Sequence, residues 1–294
     1  MSIHTVALND GSTIPAIAFG TGTIFRQKDA AEQVARALES GFRHIDAAAL
    51  YENEESVGAA IRESGIERSE LFITTKYGGG DVRSSIECSL RKLGVQAVDL
   101  YLVHLPQLIE DDFEGAWAEL AKVKEDGLTR SIGVSNFSVE HLRKIMQTGK
   151  TKPAVNQIRL HPYNYASYRE LFAYAAEHAI VIEAFGSLAP LTSIPDGPLD
   201  SVLHTIAARV NATPAQVIFK WALSKGVVVV TTTSQAARLA EYLAVAQLDD
   251  LTNEEIAAID DAGLRGACDE NVTDPRGVPV KRSANWPTGR ISEH

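Results

Sequence analysis

Four polar side chains fall at the ends of apolar runs, where a buried strand would meet solvent. Asp46 lies in His44–Ala48, Tyr51 follows it, Lys76 closes Leu71–Lys76 and His104 closes Val98–His104. Charged groups at such positions are costly unless paired, and consecutive strands would set Asp46 beside Lys76. Two uses for the group are open. It could be a structural ion pair with Tyr51 and His104 hydrogen-bonded around it, or it could reduce a carbonyl. Hydride delivered to a carbonyl carbon leaves an alkoxide that needs a proton and a stabilised charge. A phenol with a pKa of about 10 gives up its proton poorly at neutral pH unless a cation stands beside it. In that chemistry Tyr51 is the acid, Lys76 the cation, Asp46 its anchor and His104 the donor that orients the carbonyl oxygen. The set calls for no metal.

A rival use of the same residues is metal-assisted hydrolysis, with His44, Asp46, Lys76, His104 and His161 as the candidate ligands. That set contains no His-x-His pair. His44 reads as a core group behind the site and His161, before Pro162, as a loop residue, while His178 and His204 sit in helical stretches. A second chemical signal follows the run Val227–Thr231. Thr231, Thr232, Thr233 and Ser234 precede a helical segment bearing Arg238. Amides exposed at a helix start, hydroxyls and an arginine suit a phosphate group. The same residues would also make an ordinary capped helix with a surface arginine.

The elements that must position these groups alternate regularly. Eight short apolar runs, Ala16–Gly20, His44–Ala48, Leu71–Lys76, Val98–His104, Ser131–Ser135, Val155–Arg159, Val181–Phe185 and Val227–Thr231, are separated by helical patterns. Runs apolar on both faces read as buried parallel strands. The helices have legible ends. Asp81 caps a stretch whose Val82, Ile86, Leu90 and Leu93 share one face, and Gly94 stops it. Glu54 and Glu55 open another helix at the positive end of its dipole. Ser167 with Glu170, Thr213 with Gln216 and Thr252 with Glu255 read as capping boxes, with Pro214 in a first turn. The pattern predicts an α/β protein, a (β/α)8 TIM barrel occupying residues 1–294 as one domain. Asn9-Asp10-Gly11 predicts an N-terminal β-hairpin plugging one end, and residues 263–294 read as an irregular C-terminal tail. A doubly wound sheet is the alternative. However, Gly20-Thr21-Gly22 and Gly78-Gly79-Gly80 both lack the spacing of its phosphate loop.

Composition narrows the partners. A hydrophobic share of 45% in 294 residues supports a sizeable core. A formal charge of -10 argues against nucleic acid or an anionic membrane face as partner. No run has the length of a membrane span, and the opening lacks a signal-peptide pattern, so the expected location is cytoplasmic. Cys88 and Cys268 form no CxxC pair and read as reduced thiols. No interaction surface stands out, so a monomer is the default expectation.

From about Val6 to about Leu251 these residues resemble the aldo-keto reductase superfamily. GFRHIDAAALYENEESVG (Gly41–Gly58), ITTK ending in Lys76, LVHLP (Leu102–Pro106), GLTRSIGVSNFS (Gly127–Ser138) and VNQIRLHPY (Val155–Tyr163) are each similar to one of its signatures. The resemblance implies a barrel reductase that uses NADPH at the mouth to reduce a small carbonyl substrate. Asp46, Tyr51, Lys76 and His104 would be its catalytic residues, with Asp46 also near the nicotinamide. Ser135, Asn136 and Gln157 would hold the carboxamide, and Phe185 would stack on the ring. Gly20, Thr21 and Gly22 would line that end of the cofactor. Gly186 and Leu188 would border the pyrophosphate. Thr232, Thr233, Ser234 and Arg238 would surround the 2′-phosphate, and Glu241 would contact adenine. Leu105 and Trp286 would wall the substrate site beside Tyr51 and His104. Several residues depart from the family pattern. Phe185 replaces a Tyr, Gly186 a Ser, Thr232 a Lys, Tyr242 an Asn, and Leu105 and Gly22 each replace a Trp, which predicts a wider pocket. AFGTGT and TTTS are similar to a microbial branch acting on ketopantoyl lactone and conjugated polyketones. Some members of the superfamily bind nucleotide without turnover, so a non-catalytic sensing module is the alternative function.

Overall fold

The computed structural model describes residues 4–147 and 151–266. A hairpin of β1 (Thr5–Ala7) and β2 (Thr13–Pro15) comes first. Eight parallel strands then close a barrel: β3 (Ile17–Gly20), β4 (His44–Asp46), β5 (Phe72–Tyr77), β6 (Val98–Val103), β7 (Thr129–Ser135), β8 (Val155–Arg159), β9 (Val181–Phe185) and β10 (Val228–Thr231), which pairs back onto β3. Single helices follow β3 to β8 in turn: α1 (Ala31–Ser40), α2 (Glu54–Glu63), α3 (Val82–Leu93), α4 (Phe113–Glu125), α5 (Val139–Met146) and α6 (Arg169–Glu177). The crossover from β9 to β10 is longer, with α7 (Ala189–Thr192), α8 (Leu199–Val210) and α9 (Pro214–Ser224). After β10 come α10 (Ala236–Leu243) and α11 (Asn253–Arg265). No helix among the described residues is long and apolar enough to cross a membrane.

The strands are apolar on both faces because both faces are covered. Ile45, Ile73, Tyr101, Val103, Ile132, Ile158 and Val229 pack outward against the helices. Phe72, Leu100, Leu102, Val155 and Val228 point inward and meet Leu8 and Ile14 from the hairpin segment. Each such side chain, fully buried, contributes about 1.5–3 kcal/mol. The hairpin therefore plugs the barrel at its N-terminal end, as its turn residues predict. It is pinned there by Ser12 Oγ against Ser131 Oγ at 2.9 Å and by Asn9 Nδ2 donating to Pro153 O at 2.9 Å. With one end filled largely by apolar side chains, the open mouth at the other end carries the inward-facing Asp46, Lys76 and Gln157.

The helix ends follow the sequence in most cases. Asp81 accepts from Ser84 N, Gly94 takes a left-handed conformation, and the boxes at Thr213 and Thr252 are both closed. Ser167 is different. Residues Tyr165–Tyr168 already form a 3-10 turn that runs straight into α6, so Ser167 never has the extended backbone of an N-cap. Residues 263–265 are the last turn of α11 rather than the start of an irregular tail. Trp286, Cys268 and the tail expected beyond Gly266 lie outside the described residues.

Candidate active site

The C-terminal ends of the strands bring the four chemistry-bearing residues together. Asp46 ends β4, pairs in register with Thr74 of β5, and lies beside Lys76. Lys76 is fully buried, and its Nζ donates to Asp46 Oδ1 at 2.6 Å, to Ala47 O at 2.9 Å and to Tyr51 Oη at 3.4 Å. An ammonium has three hydrogens, and all three have acceptors. Burial works against its charge, but Asp46 and then Tyr51 outweigh that, and Lys76 is held above its ordinary range.

Tyr51 closes a 3-10 turn, Ala49–Tyr51, that the strand-to-helix loop must hold still. Asn53 does much of this by donating to Thr21 O at 2.8 Å and Phe25 O at 2.9 Å. Glu54 is buried and accepts from Thr75 Oγ1 at 2.6 Å and Ser89 Oγ at 3.1 Å. Neither role is visible in the sequence, where Glu54 reads only as a helix-dipole partner. Gly22 faces the phenol: a Cβ there would fall 2.8 Å from Tyr51 Cζ and 3.1 Å from its oxygen. Part of the room expected from the missing Trp is therefore occupied by Tyr51 itself. Burial raises the phenol above its usual range, and Lys76 pulls it back only in part. The phenol thus keeps its proton at neutral pH.

His104 stands edge-on to Tyr51 with ring centroids 5.4 Å apart. Burial, then Lys76 and Arg26, depress it to about 3, so the imidazole is neutral and offers one N–H. A neutral imidazole is a far weaker acid than imidazolium, so what His104 can offer here is a hydrogen bond rather than a proton. Leu105 and Ile24 are exposed apolar residues in the loops that also carry His104 and Gly22.

Ser135, Asn136 and Gln157 also converge. Ser135 Oγ donates to Gln157 O at 2.8 Å, and Asn136 Nδ2 donates to Ser135 Oγ at 3.0 Å and to His104 O at 3.1 Å. Gln157 Nε2 donates to Asp46 Oδ2 at 2.8 Å and to Glu183 Oε2 at 2.8 Å, which commits both of its hydrogens. Phe185 ends β9 half-buried, on the same face as Glu183. Gly20 ends β3 beside Asp46. Thr21 is turned inward, with its hydroxyl on Asp46 O at 3.1 Å.

Beyond β9 and β10 the expected nucleotide residues line one side of the mouth. Gly186, with φ +70, leads to Ser187, whose hydroxyl is buried with no partner among the described residues, and then to half-buried Leu188. Nothing in its sequence context marks Ser187. Thr232 Oγ1 is buried and equally without a partner. Thr233 Oγ1 accepts from Gln235 N at 3.0 Å, and Ser234 and Arg238 are exposed. The start of α10 has no side-chain cap, so its first amides stay available to an anion. Tyr242 keeps its proton through burial and accepts a hydrogen bond from Arg238, which steadies that guanidinium. Glu241 is engaged elsewhere and accepts from Thr213 Oγ1 at 2.6 Å. These unsatisfied hydroxyls and open amides fit a phosphorylated dinucleotide.

The rival ligand set does not gather. His44 is fully buried inside the barrel against Thr74 Oγ1 at 2.9 Å, and His161 is a buried residue of the loop after β8. Among the described residues, no three of His, Cys, Asp and Glu form a group able to hold a metal ion.

Comparison with known proteins agrees with this geometry. Residues 16–263 match the family described as "Aldo/keto reductase family". An aldo-keto reductase of Mycolicibacterium vanbaalenii is 42% identical over 271 residues, 90% of this chain and 94% of its own. A methylglyoxal reductase of Yersinia pestis is 38% identical, over 91% of this chain and 96% of its own. The crystal structure of a Bombyx mori aldo-keto reductase in complex with NADP superposes with a TM-score of 0.80 at 30% identity, covering 89% of this chain and 93% of that one.

Proposed function

The chain belongs to the aldo/keto reductase family, and we propose that it is an NADPH-dependent reductase of small aldehydes or ketones in which Tyr51 is the proton donor. The observation that carries this reading is the run of contacts Tyr51 Oη, Lys76 Nζ, Asp46 Oδ1, at 3.4 Å and 2.6 Å. Bound NADPH would supply hydride to the carbonyl carbon. The chain's own residues do the rest. His104 donates its N–H to the carbonyl oxygen and aims it at the phenol. Tyr51 gives its proton to that oxygen as negative charge gathers there. Lys76 stabilises the phenolate left behind, and Asp46 with Ala47 O keeps the ammonium in place. Ser135, Asn136, Gln157 and Phe185 would hold the nicotinamide end, Ser187 and Leu188 the pyrophosphate, and Thr232, Thr233, Ser234 and Arg238 the 2′-phosphate. Arg238 supports preference for the phosphorylated cofactor.

For the substrate, an activated dicarbonyl such as an α-keto lactone or diketone is our first choice. The Yersinia pestis relative is by name a reductase of one dicarbonyl, methylglyoxal, and the exposed apolar side chains of Ile24 and Leu105 suit a compact, weakly polar molecule. The test is NADPH oxidation with a panel of such carbonyls. Tyr51→Phe should lower kcat by at least about 10²-fold, and parental rates in that variant would remove Tyr51 from the role. Arg238→Ala should raise KM for NADPH well above its effect on NADH, and an equal effect on both would remove Arg238 from 2′-phosphate recognition.

A further inference from the structure

A second buried acid sits inside the barrel with no part in the mechanism above. Glu183 on β9 is fully buried. Its Oε2 accepts from Gln157 Nε2 at 2.8 Å, and the same nitrogen donates to Asp46 Oδ2 at 2.8 Å. One amide therefore bridges two carboxyl groups, and a continuous path runs Glu183, Gln157, Asp46, Lys76, Tyr51. Glu183 Oε1 is buried and receives no hydrogen bond among the described residues. It lies 3.9 Å from His44 Nε2, which is itself within 2.9 Å of Thr74 Oγ1.

The charged and titratable groups facing Glu183 can be named strand by strand. His44 and Asp46 come from β4 and Lys76 from β5. On β8 Gln157 is in register with Glu183, and Arg159 lies at the level of Phe185. Tyr51 stands above from its loop, and the neighbour on β10 is apolar Val228. Two carboxyl groups thus draw on the ammonium of Lys76, Asp46 in direct contact at 2.6 Å and Glu183 through space. A second carboxylate here would be a buried anion, with one oxygen lacking any donor. A proton on Oε1 removes that cost. In keeping with this, burial and then Asp46 push the Glu183 carboxyl up to about 8, while burial takes His44 down to about 4, so that it stays uncharged.

We propose that Glu183 is a positioning residue for the reduction: it aims the Gln157 amide at Asp46, and its own proton decides whether Lys76 faces one carboxylate or two. This rests on the reductase reading above. With the proton in place, Lys76 supports the phenolate that forms as Tyr51 gives up its proton. When Glu183 releases its proton to solvent, the added anion makes that phenolate harder to form and slows the step.

The experiment compares the parent with Glu183→Gln, which mimics the neutral acid. Activity with NADPH and a carbonyl is followed against pH, and infrared spectra are titrated on the cofactor-free protein. Parental kcat should fall as pH rises through about 8, by up to about tenfold between pH 7 and pH 9. Glu183→Gln should keep kcat at pH 7 within about twofold and lose that alkaline fall. The parent should show the carbonyl stretch of a protonated buried carboxyl at pH 7, vanishing on titration and missing from the variant. An unchanged alkaline fall in Glu183→Gln overturns the proposal, as does a parent without that infrared band at pH 7. A parent inactive on every carbonyl would instead count against the reductase reading, and the infrared titration would still decide the state of Glu183.

Discussion

Replacing Lys76 with Met separates a catalytic ammonium from a structural one. Its Nζ makes contacts of 2.6 Å to Asp46, 2.9 Å to Ala47 O and 3.4 Å to Tyr51. At 3.4 Å, with an effective dielectric of about 20, an ammonium–phenolate pair is worth about 5 kcal/mol. Asp46, on the far side of the nitrogen, cancels part of that. A net loss of about 3–4 kcal/mol lowers kcat on the order of 10²–10³-fold. The same change strands the Asp46 carboxylate in the barrel, and breaking a buried pair costs about 3–5 kcal/mol of stability. The double variant Asp46→Asn/Lys76→Met removes both charges and should regain most of that stability while regaining none of the rate. Urea midpoints measure the first quantity. Turnover with saturating NADPH and carbonyl measures the second, with NADPH fluorescence confirming that the site still binds. A double variant retaining more than about a tenth of parental kcat would refute the argument that the ammonium acts on the phenol.

Two further outcomes follow from the packing. Gly22→Ala places a methyl 2.8 Å from Tyr51 Cζ. Displacing the phenol should lower kcat by about tenfold or more with little change in melting temperature, and an unchanged kcat would show that the ring yields without consequence. The second concerns acid stability. His44 and His161 are buried, with folded-state values of about 4 and about 3. The unfolded chain therefore takes up protons near pH 6.5 that the folded chain refuses. Their contribution to stability is fully present above that pH and is lost as pH falls toward 4, by at most about 1.4 kcal/mol per unit for each imidazole. Glu183, pushed up to about 8, works in the opposite sense over this range, so the urea midpoints at pH 7 and pH 5 are compared in Glu183→Gln. The lower one should be at pH 5, and equal midpoints there would contradict the burial of these rings as neutral groups.

How much of this was legible in the sequence depends on contrast. Lys76 and His104 stand out because each ends a run of apolar residues, and a parallel barrel makes those runs apolar on both faces. Its lining residues and its helix-facing residues are both buried. Glu183 carries the same signal, a charge within the apolar run Val181–Phe185, but it lies mid-strand, and sequence gives no measure of how deep in the lumen it sits. Ser187 is hidden for another reason. Its hydroxyl becomes informative only once it is known to be buried without a partner among the described residues. The box at Ser138 escapes because its third residue is His141, a group outside the usual Glu or Gln pattern. Ser167 misleads in the opposite sense, because Glu170 is correctly spaced but the preceding 3-10 turn removes the backbone conformation a cap requires.

The electrostatics of Tyr51 shift the meaning of the tetrad. From residue types alone, Lys76 should make the phenol a readier acid, yet burial outweighs the ammonium and the phenol retains its proton. A donor that ionised in advance would have nothing to give the alkoxide. In the proposed reduction, burial of the phenol would therefore serve before the reaction, and Lys76 during it, when the proton leaves and the phenolate needs a partner 3.4 Å away. Interactions that strengthen only as the transition state forms raise kcat without tightening ground-state binding. The bonds that fix the ammonium from behind, to Asp46 and Ala47 O, keep it from relaxing toward solvent between turnovers. On the same reasoning the Gln157 bridge has a definite direction: it orients Asp46 toward Lys76 by occupying the carboxylate oxygen that Lys76 does not use.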